Sequence, residues 1–295
     1  MQIKHLRNSA IDYSLWDACI LQSSNHLAYA YSWYLDIVSP GWEALVSEDY
    51  DFVMPLPTKS KYKIPYLVQP ILTQQLGIFS KQEINEEIVN EFIKEIPYYS
   101  YELNLNERNY FPKALIYPNF LLHLNKPYQE LASVYSKNNQ RNIEKASKLN
   151  LRVEFDIDSS EFLNFYFEVE KQFISVKKTI LEKLIDKGIS EKLIKIFGVY
   201  SSTNELIAAV CLLISSNRIT YLLPVSNAEG KTSSAMFLFI DQFIRKNSGN
   251  DLIFDFEGSR IEGIARFYRG FGARNHPYYI LKRFRPSFLI NKLPK

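Results

Sequence analysis

Two carboxylates, Asp255 and Glu257, stand two residues apart in the run DLIFDFEG. On a strand that spacing puts both on one face and gives Phe254 and Phe256 the other. Charges on a strand otherwise rich in apolar residues are destabilising unless paired or solvated. Each is therefore a candidate general base with a raised pKa. The alternative is a strand end whose acids pair with neighbouring arginines such as Arg260 or Arg266. Upstream, Asn227-Ala-Glu-Gly230-Lys231-Thr232-Ser233-Ser234 joins a strand-like run to a helix-like one. Backbone N–H groups at a helix N-terminus attract phosphate, and Lys231, Thr232, Ser233 and Ser234 add donors. Glu229 is an unfavourable anion there, and an ordinary turn with Ser/Thr capping uses the same residue types. Gly230-Lys231-Thr232 imitates the tail of a Walker A loop, but Val225 stands where its first glycine belongs, which excludes that class of ATPase.

Lys137, Arg141, Lys145 and Lys148 recur at helical spacing and share one side of a helix. Arg141 and Lys145 are the candidate substrate contacts on it; a solvated face is the other reading. Tyr268 falls with Ile261, Ile264 and Ala265 on an i, i+3, i+4, i+7 apolar face, as a core tyrosine would. The four histidines, His5, His26, His123 and His276, form no ligand pair at metal spacing. Cys19 and Cys211 lie far apart, with no CxxC pair. No metal is expected.

The chain has 295 residues, 46% hydrophobic and 23% charged, the composition of an ordinary globular protein of one large or two medium domains. The opening MQIKHLRNSAIDYSLWDA lacks the apolar core of a signal peptide, and the longest apolar run, near 235–240, is too short to span a bilayer. The expectation is a cytoplasmic, reduced protein. Net charge is +3, unevenly spread: residues 1–125 carry 9 basic and 14 acidic side chains, residues 126–295 carry 26 and 18. Arg260, Arg266, Arg269, Arg274, Lys282, Arg283 and Arg285 face only Glu262 in the same stretch. That asymmetry fits a polyanionic partner of the second half, CoA or tRNA, with no expectation of DNA.

The elements that must position these groups follow from periodicity. Helices are expected at 12–22 and 29–38, strands in WEALVSE, DFVMPLP and PYLVQP, a helix over 82–95 and a strand in YYSYELNL. A strand near 115–124 opens the second half. Then come a helical region over 127–149 with a break near Asn138 and Asn139, a strand at 151–156, and helices at 159–174 and 178–187 with a short continuation near 190–195. The strands IKIFGVY, ELIAAVCLLI and RITYLLPV follow, then the buried helix SSAMFLFIDQFIRKN, the strand DLIFDFEG, the helix IEGIARFYRG and the strand HPYYILKRF. Each half runs helix, helix, three strands, helix, strand, which makes an internal repeat.

That order resembles the N-acetyltransferase-like (GNAT) fold in tandem. SKNNQRNIEKASKLNLRVEF, DFEGSRIEGIARFYRGFGA and PYLVQPILTQQLGIFS resemble segments of the Fem-type acyl and aminoacyl transferases. The resemblance implies a mixed α+β chain of two GNAT-like domains, 1–118 on the acceptor side and 119–295 on the donor side, each a mostly antiparallel central sheet flanked by helices. It implies transfer of an acyl group from an activated donor to an amine of a small molecule or peptide, with acyl-CoA or acetyl-CoA favoured and aminoacyl-tRNA the alternative. A non-catalytic binding protein on the same fold is the third reading. By the resemblance, Asn227, Gly230, Lys231, Thr232 and Ser233 would hold donor phosphates, with Asn227 and Thr232 departing from the family loop. The oxyanion donor would be a backbone N–H of RITYLLPV; Pro224 has none, which leaves Leu223 or Val225. Tyr268, four residues before Gly272, would protonate the leaving group. Tyr268-Arg269 replaces the lysine that Fem-type peptidoglycan enzymes often carry there.

Overall fold

In the computed structural model, residues 1–170 and 177–284 are described. The chain divides into two units, Pro118–His276 and the remainder, Met1–Tyr117 with the segment from Pro277 onward.

The first unit contains β1 (Ile3–Leu6), α1 (Tyr13–Gln22), α2 (Ser32–Val38), β2 (Glu43–Ser47), β3 (Phe52–Leu56), β4 (Thr58–Lys61), β5 (Ile64–Val68), β6 (Phe79–Ser80), α3 (Glu86–Lys94), β7 (Tyr101–Leu105) and β8 (Leu115–Tyr117). One sheet has the order β1-β2-β3-β6. Asp12 starts α1 by accepting the Ser14 and Leu15 N–H groups, and Asn85 starts α3 by accepting that of Ile88. Trp16 and Ile20 are the buried residues of α1, while Leu15 is exposed. The apolar side of α3, Val89 and Phe92, packs into a core with Leu45, Met54, Leu67 and Leu103. Burying a side chain of this size contributes about 1.5–3 kcal/mol.

The second unit contains β9 (Phe120–His123), α4 (Tyr128–Ser133), α5 (Lys137–Ser147), β10 (Arg152–Phe155), α6 (Ser159–Val169), α7 (Lys178–Ser190), β11 (Ile194–Tyr200), β12 (Leu206–Ser215), β13 (Arg218–Ser226), α8 (Ala228–Thr232), α9 (Ala235–Asn247), β14 (Ile253–Asp255), α10 (Glu262–Arg269) and β15 (Arg274–Asn275). Its sheet has the order β10-β11-β12-β13-β14-β9-β15. All pairs are antiparallel except β13 with β14. Phe197, Val210, Tyr221 and Phe254 from the strands meet Phe239, Phe243 and Ile244 of α9 in one core.

Three departures from the periodicity bear on the topology. The strand expected near 115–124 is two strands, because Pro118 separates β8 from β9 and the two join different sheets. The helical break falls at Val134–Ser136, before the asparagines: Ser136 caps α5 by accepting the Asn139 N–H at 3.2 Å. The closing strand β16 (Tyr278–Arg283) forms as expected, but pairs with β7 and β8 in the first unit. The first unit's second sheet is thus β4-β5-β7-β16-β8. The expected helix 159–174 is α6 to Val169; its last residues, like Arg285, lie outside the described residues.

Gly77 (φ +90°) is a position where only glycine fits. A Cβ there would lie 2.2 Å from Asn109 Oδ1 and 3.1 Å from the Leu105 Cα. That same Oδ1 accepts the Ile78 N–H at 2.6 Å. Gly77→Ala is expected to lower unfolding free energy by more than about 1 kcal/mol, read as a reduced urea midpoint; an unchanged midpoint would show that the loop repacks without loss.

Candidate active site

The parallel pair β13–β14 defines the site. The two strands pair over three positions only, Arg218 with Ile253, Ile219 with Phe254 and Thr220 with Asp255. Beyond Thr220, β13 runs on to Ser226 with no strand on that side among the described residues. The divergence starts where the β12–β13 register slips. Leu213 opposes Thr220 but Cys211 opposes Leu223, so Tyr221 and Leu222 together face Leu212. An extra residue on one strand bends it and increases its twist. This bulge turns β13 away from β14 and leaves a backbone edge of N–H and C=O groups from Tyr221 to Ser226. Leu223 and Val225, the expected oxyanion donors, lie on this segment with buried side chains and Pro224 exposed between them, but their N–H groups face Cys211 and Ala209 of β12: the Asn227 N–H donates to the Ile207 carbonyl at 3.1 Å, and antiparallel pairs alternate from there.

Aromatic rings fill the base of the divergence. Tyr268, on α10, stacks on Phe256 at 4.9 Å between ring centroids and meets Tyr221 edge-on at 6.4 Å. The Tyr221 hydroxyl contacts the Met236 sulfur at 3.2 Å. Burial pushes the Tyr268 phenol well above its ordinary value, with the charges of Glu257 and then Asp255 adding to it. Burial does the same to Tyr221, and the neighbouring Tyr268 adds to it. The expected apolar face of α10 is narrower than its spacing: Ala265 and Tyr268 are buried, whereas Ile261 and Ile264 are exposed.

Asp255 ends β14 and is buried. Its Oδ2 lies 3.7 Å from Arg218 Nε, itself buried at the start of β13. Its Oδ1 accepts the Glu257 N–H at 2.8 Å. The expected pairing with an arginine thus forms, but with Arg218 across the parallel pair, a partner absent from the sequence reading. The expected shared face of Asp255 and Glu257 is not formed. Glu257 lies past the strand end in a left-handed conformation (φ +59°) and is half-buried. Regular alternation stops where Asp255 folds back on the Glu257 amide.

The loop expected to cradle phosphates is tightly built. Asn227 Oδ1 accepts the Gly230 N–H at 2.8 Å and starts α8. A Cβ on Gly230 would lie 2.1 Å from the Ile207 carbonyl oxygen, so glycine is required for α8 to rest on β12. The Thr232 hydroxyl donates to the carbonyls of Glu229 and Ala228, Ser233 to that of Gly230, and Ser234 to Asn142 Oδ1. Lys231 is exposed. Lys145, expected as a substrate contact, donates to the Thr232 carbonyl at 2.5 Å and so joins α5 to this loop. Arg141 lies one turn earlier on α5 and is exposed; its Nε donates to the Lys137 carbonyl at 3.3 Å. The link between α5 and α10 rests on Asn139, buried, whose amide donates to the Phe267 carbonyl at 3.1 Å while Gly270 packs against it. The basic stretch is divided: Arg260 to Arg274 belong to the second unit, Lys282 and Arg283 to β16 of the first. Arg269 is engaged by Glu262, and Lys282 pairs with Glu102 at 2.7 Å. Among the described residues, no cluster of three His, Cys, Asp or Glu side chains is arranged to hold a metal, and no helix is long and apolar enough to cross a membrane.

No family model matches the sequence, and no curated protein matches it. Solved structures do match in three dimensions. FemX is 13% identical with a TM-score of 0.68, covering 99% of this chain and 100% of that chain. The L-PGS structure from Bacillus licheniformis is 10% identical with a TM-score of 0.58, covering 95% and 94%. A tandem GNAT protein from the clavulanic acid biosynthesis pathway is 9% identical with a TM-score of 0.51, covering 95% and 98%. At such identities the likeness concerns the fold. The chain has the Fem-type tandem GNAT-like fold, a mixed α+β architecture of mostly antiparallel sheets with flanking helices.

Two outcomes follow from this geometry. Breaking the Arg218–Asp255 pair by Arg218→Met or Asp255→Asn is expected to destabilise by up to about 3–5 kcal/mol, since one buried charge loses a neighbour of opposite sign. The double variant Arg218→Met/Asp255→Asn is expected to recover part of that loss in urea unfolding; a double variant as unstable as the sum of the singles would show that packing, not charge, holds the strands. The buried tyrosines Tyr221 and Tyr268 and the half-buried Tyr128 set an alkaline limit. Tyr128 is pushed up to about 12, by burial first and then by its hydrogen bond to Asp241, and Tyr221 and Tyr268 are also raised. A raised phenol contributes stability that is fully present below the unfolded value near 10 and is lost as pH rises through the folded one. Urea midpoints are expected to fall steadily above about pH 10, and less steeply in Tyr221→Phe; a flat profile through that range would contradict the burial of these hydroxyls.

Proposed function

We propose that the chain is an N-acyltransferase that moves an acyl group from acyl-CoA to an amine, with the donor carbonyl held at the divergence of β13 and β14. The observation that carries the reading is the β13 edge from Tyr221 to Ser226, which no strand covers among the described residues. Backbone N–H and C=O groups at such an edge need partners. A linear thioester arm carrying its own amides would pair with them as an added strand does. An N–H on the open edge of β13 would then receive the oxygen on which charge develops.

Tyr268 would act at the leaving group as a hydrogen-bond donor, since burial keeps its phenol protonated. The base for the amine would be Glu257 or Asp255, of which Glu257 is half-buried and Asp255 buried. Asn227, Gly230, Lys231, Thr232 and Ser233 would border the phosphates. Lys231 and the first N–H groups of α8 are the donors for them, because the Thr232 and Ser233 hydroxyls donate within the loop and that of Ser234 donates to Asn142 of α5. Lys145 reaches the same loop from α5, and Arg141 lies one turn earlier on that helix.

A second reading, an aminoacyl ester donor such as aminoacyl-tRNA, is favoured by two observations, of which the first is that the Asn227 side chain takes the Gly230 N–H that a pyrophosphate would use. A phenol held above its ordinary value also suits a departing alkoxide better than a thiolate.

Thermal unfolding with CoA and acetyl-CoA, at low and moderate salt, separates the readings. A ligand at about a hundred times its Kd adds roughly 2.7 kcal/mol, a rise of several degrees for a chain of this size. A salt-tolerant rise is expected, with Tyr268→Phe slowing turnover while leaving the rise intact. No rise with either compound would remove the acyl-CoA reading. Steeply salt-dependent binding of charged tRNA would then establish the second, and binding of neither would leave a non-catalytic fold.

A further inference from the structure

The second unit has a second cleft, at the far end of α9 from the loop discussed above. Its volume is about 190 Å³, and it opens between the last turn of α9 and the sheet. The register of the strands explains its lining. Lys195 opposes Leu212 across β11 and β12, and Ile214 opposes Ile219 across β12 and β13. With Phe197, two residues along from Lys195, these side chains share one sheet face. The floor is thus Phe197, Leu212, Ile214 and Ile219, with Phe243 of α9 opposite. Lys195 is a lysine on a face that is otherwise apolar here, and it is exposed because the cleft opens beside it.

The rim carries a second lysine. Lys246, on the last turn of α9, lies 3.8 Å from the centroid of the Phe155 ring. Asp156 follows Phe155 in a left-handed conformation (φ +80°), which an aspartate adopts at some strain. Its amide donates to the Ile196 carbonyl at 3.0 Å, so the turn is fixed beside the cleft. The rim therefore holds two cations and one anion around an apolar floor. That combination selects a ligand with a single negative charge and an apolar tail, since small-molecule sites are mainly apolar with a few placed polar groups.

We propose that this cleft binds a small monocarboxylate, with Lys195 and Lys246 holding the carboxylate and Phe197, Leu212, Ile214, Ile219 and Phe243 enclosing the tail. The site is separate from the divergence of β13 and β14. It lies by Ile219 at the start of β13 and by Phe243 in the second half of α9, about 12 Å along the helix from Ala235. It does not depend on the transferase reading. Lys246 swings from the Phe155 ring to the carboxylate, exchanging a cation–π contact for a charge-assisted hydrogen bond.

The test is calorimetric titration of the full chain with hexanoate, using hexanol and hexylamine as uncharged and cationic controls. Saturable hexanoate binding is expected, with both controls at least ten-fold weaker. Lys195→Met and Lys246→Met should each weaken hexanoate by about ten-fold, the effect of losing a hydrogen bond to a charged group. Ile214→Phe, at the half-exposed edge of the floor, should abolish it by filling the cleft. Circular dichroism of each variant checks that it folds, and the lysine variants carry the test if Ile214→Phe does not. Absence of saturable binding, equal binding of hexanol, or binding indifferent to both lysines would each overturn the proposal.

Discussion

The second unit depends on how β13 leaves β14. A parallel pair of three residues is short, and the strands separate because β13 carries one more residue than β12 between Thr220 and Leu223. The bulge bends β13 locally, while the Arg218–Asp255 contact ties the start of β13 to the end of β14. One feature opens the sheet and the other limits how far the opening spreads. Asp255 serves both roles, since its second oxygen accepts the Glu257 amide and ends the regular strand. A carboxylate buried at that point gives the chain direction as much as charge.

The loop after β13 shows a related economy of hydrogen bonds. Gly230 allows α8 to rest on the Ile207 carbonyl, and Asn227 satisfies the amide that this close approach would strand. Thr232, Ser233 and Ser234 then donate inward or to α5. A loop so satisfied keeps its shape without a ligand. The same property leaves fewer groups for an anion than its composition implies, because the residue types that cap a helix are those that bind phosphate.

Much of the fold was legible in the sequence. IKIFGVY and ELIAAVCLLI read as strands because β-branched and aromatic residues cluster there between turn residues, and they form β11 and most of β12. The helix from Ala235 was legible from its nearly continuous apolar surface. What could not be read was pairing over long separations. Nothing local to HPYYILKRF says that it joins β7 and β8 rather than its neighbours in sequence. Short strands were also missed, such as Thr58–Lys61, whose polar TKSK carries no apolar alternation. At the site, Asp255 and Tyr268 could be named, but Arg218 could not be matched to Asp255 without the parallel register. The one available signal was an arginine opening an otherwise apolar strand.

Tyr268 illustrates how one residue can satisfy both a packing reading and a chemical one. Its ring belongs to the aromatic core with Phe120, Phe256 and Tyr221, so the apolar pattern of α10 and the burial of the phenol are one fact. Such burial raises the phenol by withdrawing water, and Glu257 and Asp255 raise it further by disfavouring a second negative charge nearby. A hydroxyl in that setting does not ionise near neutral pH, and it donates a hydrogen bond rather than a proton. The demand on a leaving group follows from this. In the proposed transfer reaction a leaving group beside Tyr268 would accept a hydrogen bond as it departs, and the more basic the departing atom, the better a high-pKa phenol would match it. The chemistry open to the site is thus bounded by the same rings that close its core.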